Sequence, residues 1–244
     1  MALALDGKNF SLQVGGGYGG NITTPQTITL TTSNANCILY SFIGCSDPGD
    51  SGHDPSLSDT AGLTWVKLAG PLHTTNGGGE GYNWVYIAKA PSALSSYTLT
   101  MTEPTDFGDY LQWLVFGVSG SNYSAPRDPY SGLANLGTLA NYANGTITTT
   151  NSNDFLIGIY GSGGASTPHG SGPEPGAGWT KIYDTTDGFN YACGQYKIVS
   201  AAQSGTTVTA TTGDSVVFFQ DAITSDGGGV DFGVSDTLYS QVSI

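Results

Sequence analysis

The chain has 244 residues, 38% of them hydrophobic, with 37 glycines, 19 acidic side chains against 6 basic ones and a formal net charge of −13. This length and apolar content suffice for a core, and a β sandwich of this size can be one domain. The acidic balance argues against phosphate-backbone binding to DNA or RNA, which needs clustered Lys and Arg. It also disfavours anionic membrane surfaces, and no apolar stretch is long enough to cross a bilayer as a helix.

The opening "MALALDGKNF" has no basic segment and no long apolar segment, so it does not read as a secretory signal. Residues 1–24 contain "VGGGYGGN" and read as an N-terminal arm, flexible by composition, with Phe10 and Tyr18 as its candidate contact residues. From residue 25 the chain becomes a series of short apolar runs separated by Gly, Ser, Thr and Asn, which is strand-and-turn composition. The predicted strands are "TITLTT" (27–32), "CILYSFIG" (37–44), "AGLTWVKLAG" (61–70), "YNWVYIAKAPSALSSYTLTMT" (82–102, two strands and a turn) and "YLQWLVFGVSG" (110–120). The connection 121–145 includes one helical candidate, residues 130–144, broken by Gly132 and Gly137.

The series then starts again. "TITTT" (146–150) is followed by "DFLIGIYGSG" (154–163), "GAGWTKIYDT" (176–185), "YACGQYKIVSAAQSGTTVTATT" (191–212) and "DSVVFFQDAIT" (214–224). Trp65 matches Trp179, Tyr86 matches Tyr196 and Leu99 matches Val208. We therefore expect an all-β protein: a jelly-roll-like antiparallel β-sandwich over residues 25–221, built from two pseudo-repeated halves, 25–120 and 146–221. Two separate small sandwiches are the other arrangement that fits. The nearly continuous apolar runs "CILYSFIG" and "WLVFGV" predict strands with a core on one face and something else on the other. Residues 222–244 form a C-terminal arm too apolar for a solvated tail, with Phe232, Leu238 and Tyr239 among its apolar residues. Both arms are expected to make subunit contacts.

Three cysteines are present. Cys37 and Cys45 lie on one predicted strand, about 26 Å apart if extended, too far for a disulfide. A bridge from Cys193 stays open, with free buried thiols as the expected state.

The loop "CSDPGDSGHDPSLSDTAG" gathers Asp47, Asp50, Asp54 and Asp59. Such oxygen-rich clusters suit calcium, although the spacing is not that of an EF-hand, and a polar turn accounts for the same composition. No other cofactor is implied. The three histidines are dispersed and no Cys-x-x-Cys exists, which argues against zinc. The only glutamates, Glu80, Glu103 and Glu174, are not paired by anything in the sequence, and no nucleophile elbow is present, so no enzyme activity is expected, a glycan hydrolase using Glu80 and Glu103 being the lesser alternative. Tyr82, Trp84 and Tyr86 fall on one face of a strand by alternation, and Tyr110 and Trp113 sit on the next apolar strand. They are core residues, a subunit contact or a sugar-stacking platform.

Several spacings carry a resemblance. They are Asp59, Gly62 and Trp65; Tyr86 to Ala88; Ser119-Gly120; Pro126-Arg127-Asp128; and Gly178-Trp179-Thr180. Together they resemble a jelly-roll or lectin-like β-sandwich module of bacteriophage virion surface proteins and bacterial adhesins, over most of residues 27–221. Many members have Glu-Tyr before the Ser-Gly, where this chain has Phe116-Gly117-Val118, so no role of that Glu is carried over. The resemblance implies a non-enzymatic protein on a tailed-phage virion surface, in the capsid decoration or a fibre. Its partners would be other copies of itself, most simply as a trimer, and other virion proteins. The alternative it implies is an adhesin or receptor-recognition module, extracellular, that binds a host surface glycan.

Overall fold

β-branched and aromatic runs separated by Gly, Asn, Asp and Ser favour strands joined by tight turns. A computed structural model of the chain shows this outcome. It describes residues 1–14, 22–46, 54–76, 79–103, 108, 110–129, 142–162, 174–186, 191–211 and 217–226, and these contain fifteen strands and no helix. The first eight are β1 (Ala4–Val14), β2 (Gln26–Leu30), β3 (Cys37–Ser46), β4 (Ser56–Asp59), β5 (Trp65–Asn76), β6 (Gly79–Ala90), β7 (Tyr97–Thr102) and β8 (Tyr110–Ser119). The others are β9 (Tyr142–Ile147), β10 (Asp154–Ser162), β11 (Glu174–Pro175), β12 (Thr180–Thr186), β13 (Tyr191–Val199), β14 (Thr206–Thr211) and β15 (Val217–Thr224).

All pairings are antiparallel, and the sheets segregate by half. The first half forms a five-stranded sheet, β1-β8-β3-β6-β5, and a three-stranded sheet, β2-β7-β4. The second forms a four-stranded sheet, β12-β13-β10-β15, and a three-stranded sheet, β11-β14-β9. The order recurs, with β15, β10, β13 and β12 standing where β8, β3, β6 and β5 stand. The place of β1 is taken by residues 121–127, which touch β15 through isolated bridges at Ser121–Ser225 and Arg127–Ile223. The all-β sandwich expected from the sequence is present. It differs in one respect: the halves do not pool their strands into one sandwich, and each closes its own pair of sheets.

The four sheets stack as layers around three apolar cores. Alternation on β3 shows how. Cys37, Leu39, Ile43 and Cys45 face the core beneath the β2-β7-β4 sheet. Ile38, Tyr40 and Phe42 face the opposite way, into a central seam against Phe155, Ile157, Ile159 and Phe219 of the second half. A third core, with Leu156, Tyr160, Trp179, Val208 and Phe218, lies under the β11-β14-β9 sheet. The larger sheet of each half is thus covered on both faces, and every residue of β8 and of β15 is buried. This explains the unbroken apolar runs, since a strand with one wet face would alternate.

The seam also dictates two small residues. A Cβ on Gly161 would lie 2.7 Å from both the Phe42 ring and the Asn83 side-chain oxygen, and one on Gly44 would lie 2.7 Å from that same oxygen. At Gly161 the two large sheets approach too closely for a side chain, whereas at Gly44 the space is taken by its own sheet neighbour, Asn83.

Two turns are fastened alike. The Asp6 carboxylate accepts from the Ser33 and Asn34 backbone N–H groups and from the Asn34 amide, at 2.8–2.9 Å. The Asp128 carboxylate accepts from the Thr150 and Asn151 backbone and from the Asn151 amide, at 2.7–3.0 Å. Thr32 and Thr149, both buried, then tie these turns to Leu94 and Gln203 through matching backbone and hydroxyl bonds.

The N-terminal reading needs correction. Residues 4–14 are not a loose arm but strand β1, paired along β8. Composition hid it because Asp6-Gly7-Lys8 interrupts the alternation, and the structure has a register shift between Leu5 and Lys8 there. Gly7 has φ +82°, and a Cβ would lie 2.1 Å from the Thr31 carbonyl oxygen, so only glycine fits. Phe10 docks on its own chain, stacked on Tyr183 at 4.3 Å, and the Lys8 ammonium donates to the Ile182 carbonyl. Of the helical candidate 130–144, residues 142–144 belong to β9 and the others lie outside the described residues, as do Tyr18, Phe232, Leu238 and Tyr239.

Candidate functional site

The aromatic set of β6 and β8 is internal. Tyr82, Trp84, Tyr86, Tyr110 and Trp113 are all buried, at 6% exposure or less. Strand alternation sends Tyr82, Trp84, Tyr86 and Trp113 into the first half's own core. Their polar atoms are satisfied there: Trp113 Nε1 donates to Ser41 at 2.9 Å, Trp84 Nε1 to Asp54 at 3.0 Å, and the Tyr86 hydroxyl to the Pro55 carbonyl at 2.6 Å. A platform that stacks on sugars needs open ring faces, so these residues do not form one. Trp65 and Trp179 likewise pack at the two outer cores.

Of the acidic loop, Asp54 and Asp59 are described, and Asp47 and Asp50 lie outside the described residues. Asp54 pairs with Lys67 besides holding Trp84. Asp59 folds the turn that follows it. One oxygen accepts from the Ala61 and Leu63 N–H groups at 2.8 and 3.1 Å, and the other from Trp65 Nε1 at 3.0 Å. Gly62 sits between them at φ +69°. The Asp59, Gly62, Trp65 spacing is therefore a turn device. Both carboxylates are engaged by N–H donors, and no cluster able to hold a metal occurs among the described residues. Glu174 pairs with Lys181 at 3.1 Å, and Glu103 is buried just beyond β7.

Pro126-Arg127-Asp128 is structural as well. Arg127 Nε reaches the fully buried Asp221 carboxylate at 2.8 Å, and the Tyr40 hydroxyl donates to the same oxygen at 2.8 Å. Asp128 fastens the 149–151 turn as described above. A Cβ on Gly117 would lie 2.6 Å from the Asp6 carbonyl oxygen, so this backbone leaves no room for a side chain there.

Sequence reasoning missed Asp154. It occupies the start of β10, where β3 has Cys37, and is fully buried with neither carboxylate oxygen in a hydrogen bond. Burial raises its pKa, and the Asp128 charge adds to the rise, to about 7. Its one sequence signal is an Asp heading an otherwise apolar run.

The molecule has two unlike ends. One carries the fastened turns at 31–36, 60–64 and 148–153. At the other, the register brings together Val14 with Tyr110, Ser46 with Gly81, and Ser162 with Tyr191. In the chain, the connections 15–21, 47–53, 104–107, 163–173 and 187–190 adjoin strand ends on this side. At the turn end, a groove of about 420 Å³ opens at the margin of the seam, lined by Met1, Leu3, Asn153, Ile198, Val199 and Asp226 among others.

These features define an all-β protein of two sandwiches packed back to back. No family model, no curated protein and no solved structure matches the chain.

Proposed function

We propose that this is a non-enzymatic structural protein of a tailed-phage virion surface, a capsid decoration or fibre component that works through contacts between subunits. The observation that supports this reading most is the use of the carboxylates. Asp6, Asp59, Asp128 and Asp221 are each committed to N–H or O–H donors that fasten turns or the seam. Side chains spent in this way make a stiff support, and loops carried on a stiff support are where contacts with partners concentrate. The connections at one end are the surface we assign to such contacts. The virion setting comes from the resemblance, and the natural assembly is a cyclic homo-oligomer, most simply a trimer.

The test is the mass of the protein in solution together with its incorporation into assembled particles. A homo-oligomer that binds particles is expected. A monodisperse monomer that fails to bind them overturns the reading, and glycan-array binding by that monomer would replace it with a carbohydrate-recognition role.

A further inference from the structure

Asp154 opens β10 immediately after the turn at 148–153. By strand alternation its side chain points with Leu156 and Tyr160 into the outer core of the second half. It is fully buried, and neither carboxylate oxygen has a hydrogen-bond partner. Its neighbours across the sheet are Val199 on β13 and Thr224 on β15, and Ile147 and Val208 close the same core from β9 and β14. None of these ionises. Lys197 on β13 stands opposite Leu156, and Asp226, beyond β15, lies on the groove wall. The charge that bears on Asp154 is that of Asp128.

Asp128 is already engaged. Its carboxylate holds the turn through the Thr150 and Asn151 N–H groups, the Thr150 hydroxyl and the Asn151 amide. A negative Asp154 would therefore face a committed carboxylate inside an apolar core, with no donor of its own. The first half avoids this conflict. There Cys37 opens β3, and its thiol donates to Asp6, the acid that fastens the 31–36 turn, at 3.2 Å. Burial, and then Asp6, keep that thiol neutral.

We propose that Asp154 is a proton-operated lock on the turn at 148–153: with its proton it lies uncharged beside Asp128 and the turn stays shut, and without it the carboxylate swings out to water and the turn opens. The turn is the part that yields because Asp154 is its next residue, so opening there hydrates the carboxylate without parting the sheets. Asn153, whose carbonyl accepts from the Ser225 N–H at 3.0 Å, would move with it, and Asn153 is part of the groove wall. In the open turn the carboxyl ionises near its ordinary value of 3.8, and in the closed one near 7. Between those values each pH unit favours the open turn about tenfold, and above about pH 7 the gain levels off.

Hydrogen exchange of the full chain between pH 5 and 7, corrected for the intrinsic rate, tests this. The amides to read are Thr150 and Asn151, which donate to Asp128, against Ser33 and Asn34, which donate to Asp6. Protection of the first pair should fall about tenfold per pH unit, while the second pair stays flat. Asp154→Asn should remove the slope at Thr150 and Asn151, and so should Asp154→Cys, which copies the first half. A flat profile at Thr150 and Asn151 in the wild type overturns the proposal. Equal slopes at both turns also overturn it, because the proton would then act on the whole fold. A slope that survives both substitutions assigns the titration to another group and overturns it as well.

Discussion

The Tyr40 hydroxyl donates to the Asp221 carboxylate at 2.8 Å although 181 residues separate them in the chain. Tyr40 comes from the middle of the first half's large sheet and Asp221 from the edge strand of the second. Arg127, from the connection, donates to the same oxygen. One buried acid therefore joins both sandwiches and the segment between them.

Removing that acid should be far more damaging than removing its neutral partner. Asp221→Ala removes the acceptor that Arg127 and Tyr40 share, and breaking a buried pair in this way costs about 3–5 kcal/mol. Tyr40→Phe removes one hydrogen bond to a charged acceptor and should cost roughly 1.5–3 kcal/mol. Urea unfolding of the two single variants and the double variant checks the order. The double should fall short of the sum, since both act on one site.

Asp154 should make stability fall as pH rises. Its unfolded carboxyl ionises near 3.8, and in the fold burial and the Asp128 charge push it to about 7. Between those values only the folded chain holds the proton, so raising the pH favours the unfolded chain. Below about pH 4 both states are protonated and the effect vanishes. Above about pH 7 it is fully developed, on the order of 4 kcal/mol. Asp154→Asn should flatten the profile between those limits and stabilise the protein at neutral pH, as read by melting temperature against pH.

Gly161→Ala should loosen the seam selectively. The added methyl would meet the Phe42 ring and Asn83 at 2.7 Å, and overpacking of this kind costs about 1–3 kcal/mol. Hydrogen exchange should rise first in the central strands β3 and β10, with smaller changes in β2, β7, β9 and β14.

All three thiols should be silent in the native protein. Cys37, Cys45 and Cys193 are free and buried. Burial, and then the neighbouring Asp6 carboxylate, which lies 3.2 Å from its sulfur, push the Cys37 thiol up to about 12. A thiol reagent at pH 8 should titrate none before unfolding and all three after it. Early reaction of one would mark a local opening of its core.

Much of this architecture was legible in the sequence, and the illegible part has a common cause. The strand-and-turn composition gave the all-β fold, and unbroken apolar runs such as Cys37–Gly44 announced sheets covered twice. What covers them could not be read, because Ile38 and Phe42 look the same whether they meet a second half or a second subunit. The aromatic row Tyr82-Trp84-Tyr86 fixed a face by alternation but not which face was wet. β1 was lost to a bulge, and Asp6, Asp128 and Asp221 were lost to distance, since these partners lie 22 or more residues away. Local patterns report a residue's own strand well and its distant partner not at all.

The two-sided burial of the large sheets also bears on what a single unit would do alone. A fragment ending near residue 129 would lay bare Ile38, Tyr40, Phe42, Leu114, Phe116 and Val118 together. The cheapest cover for such a face is the same face on another molecule, related by a twofold axis. The present chain carries its cover within one polypeptide: Phe155, Ile157, Ile159 and Phe219 of the second half lie against that face.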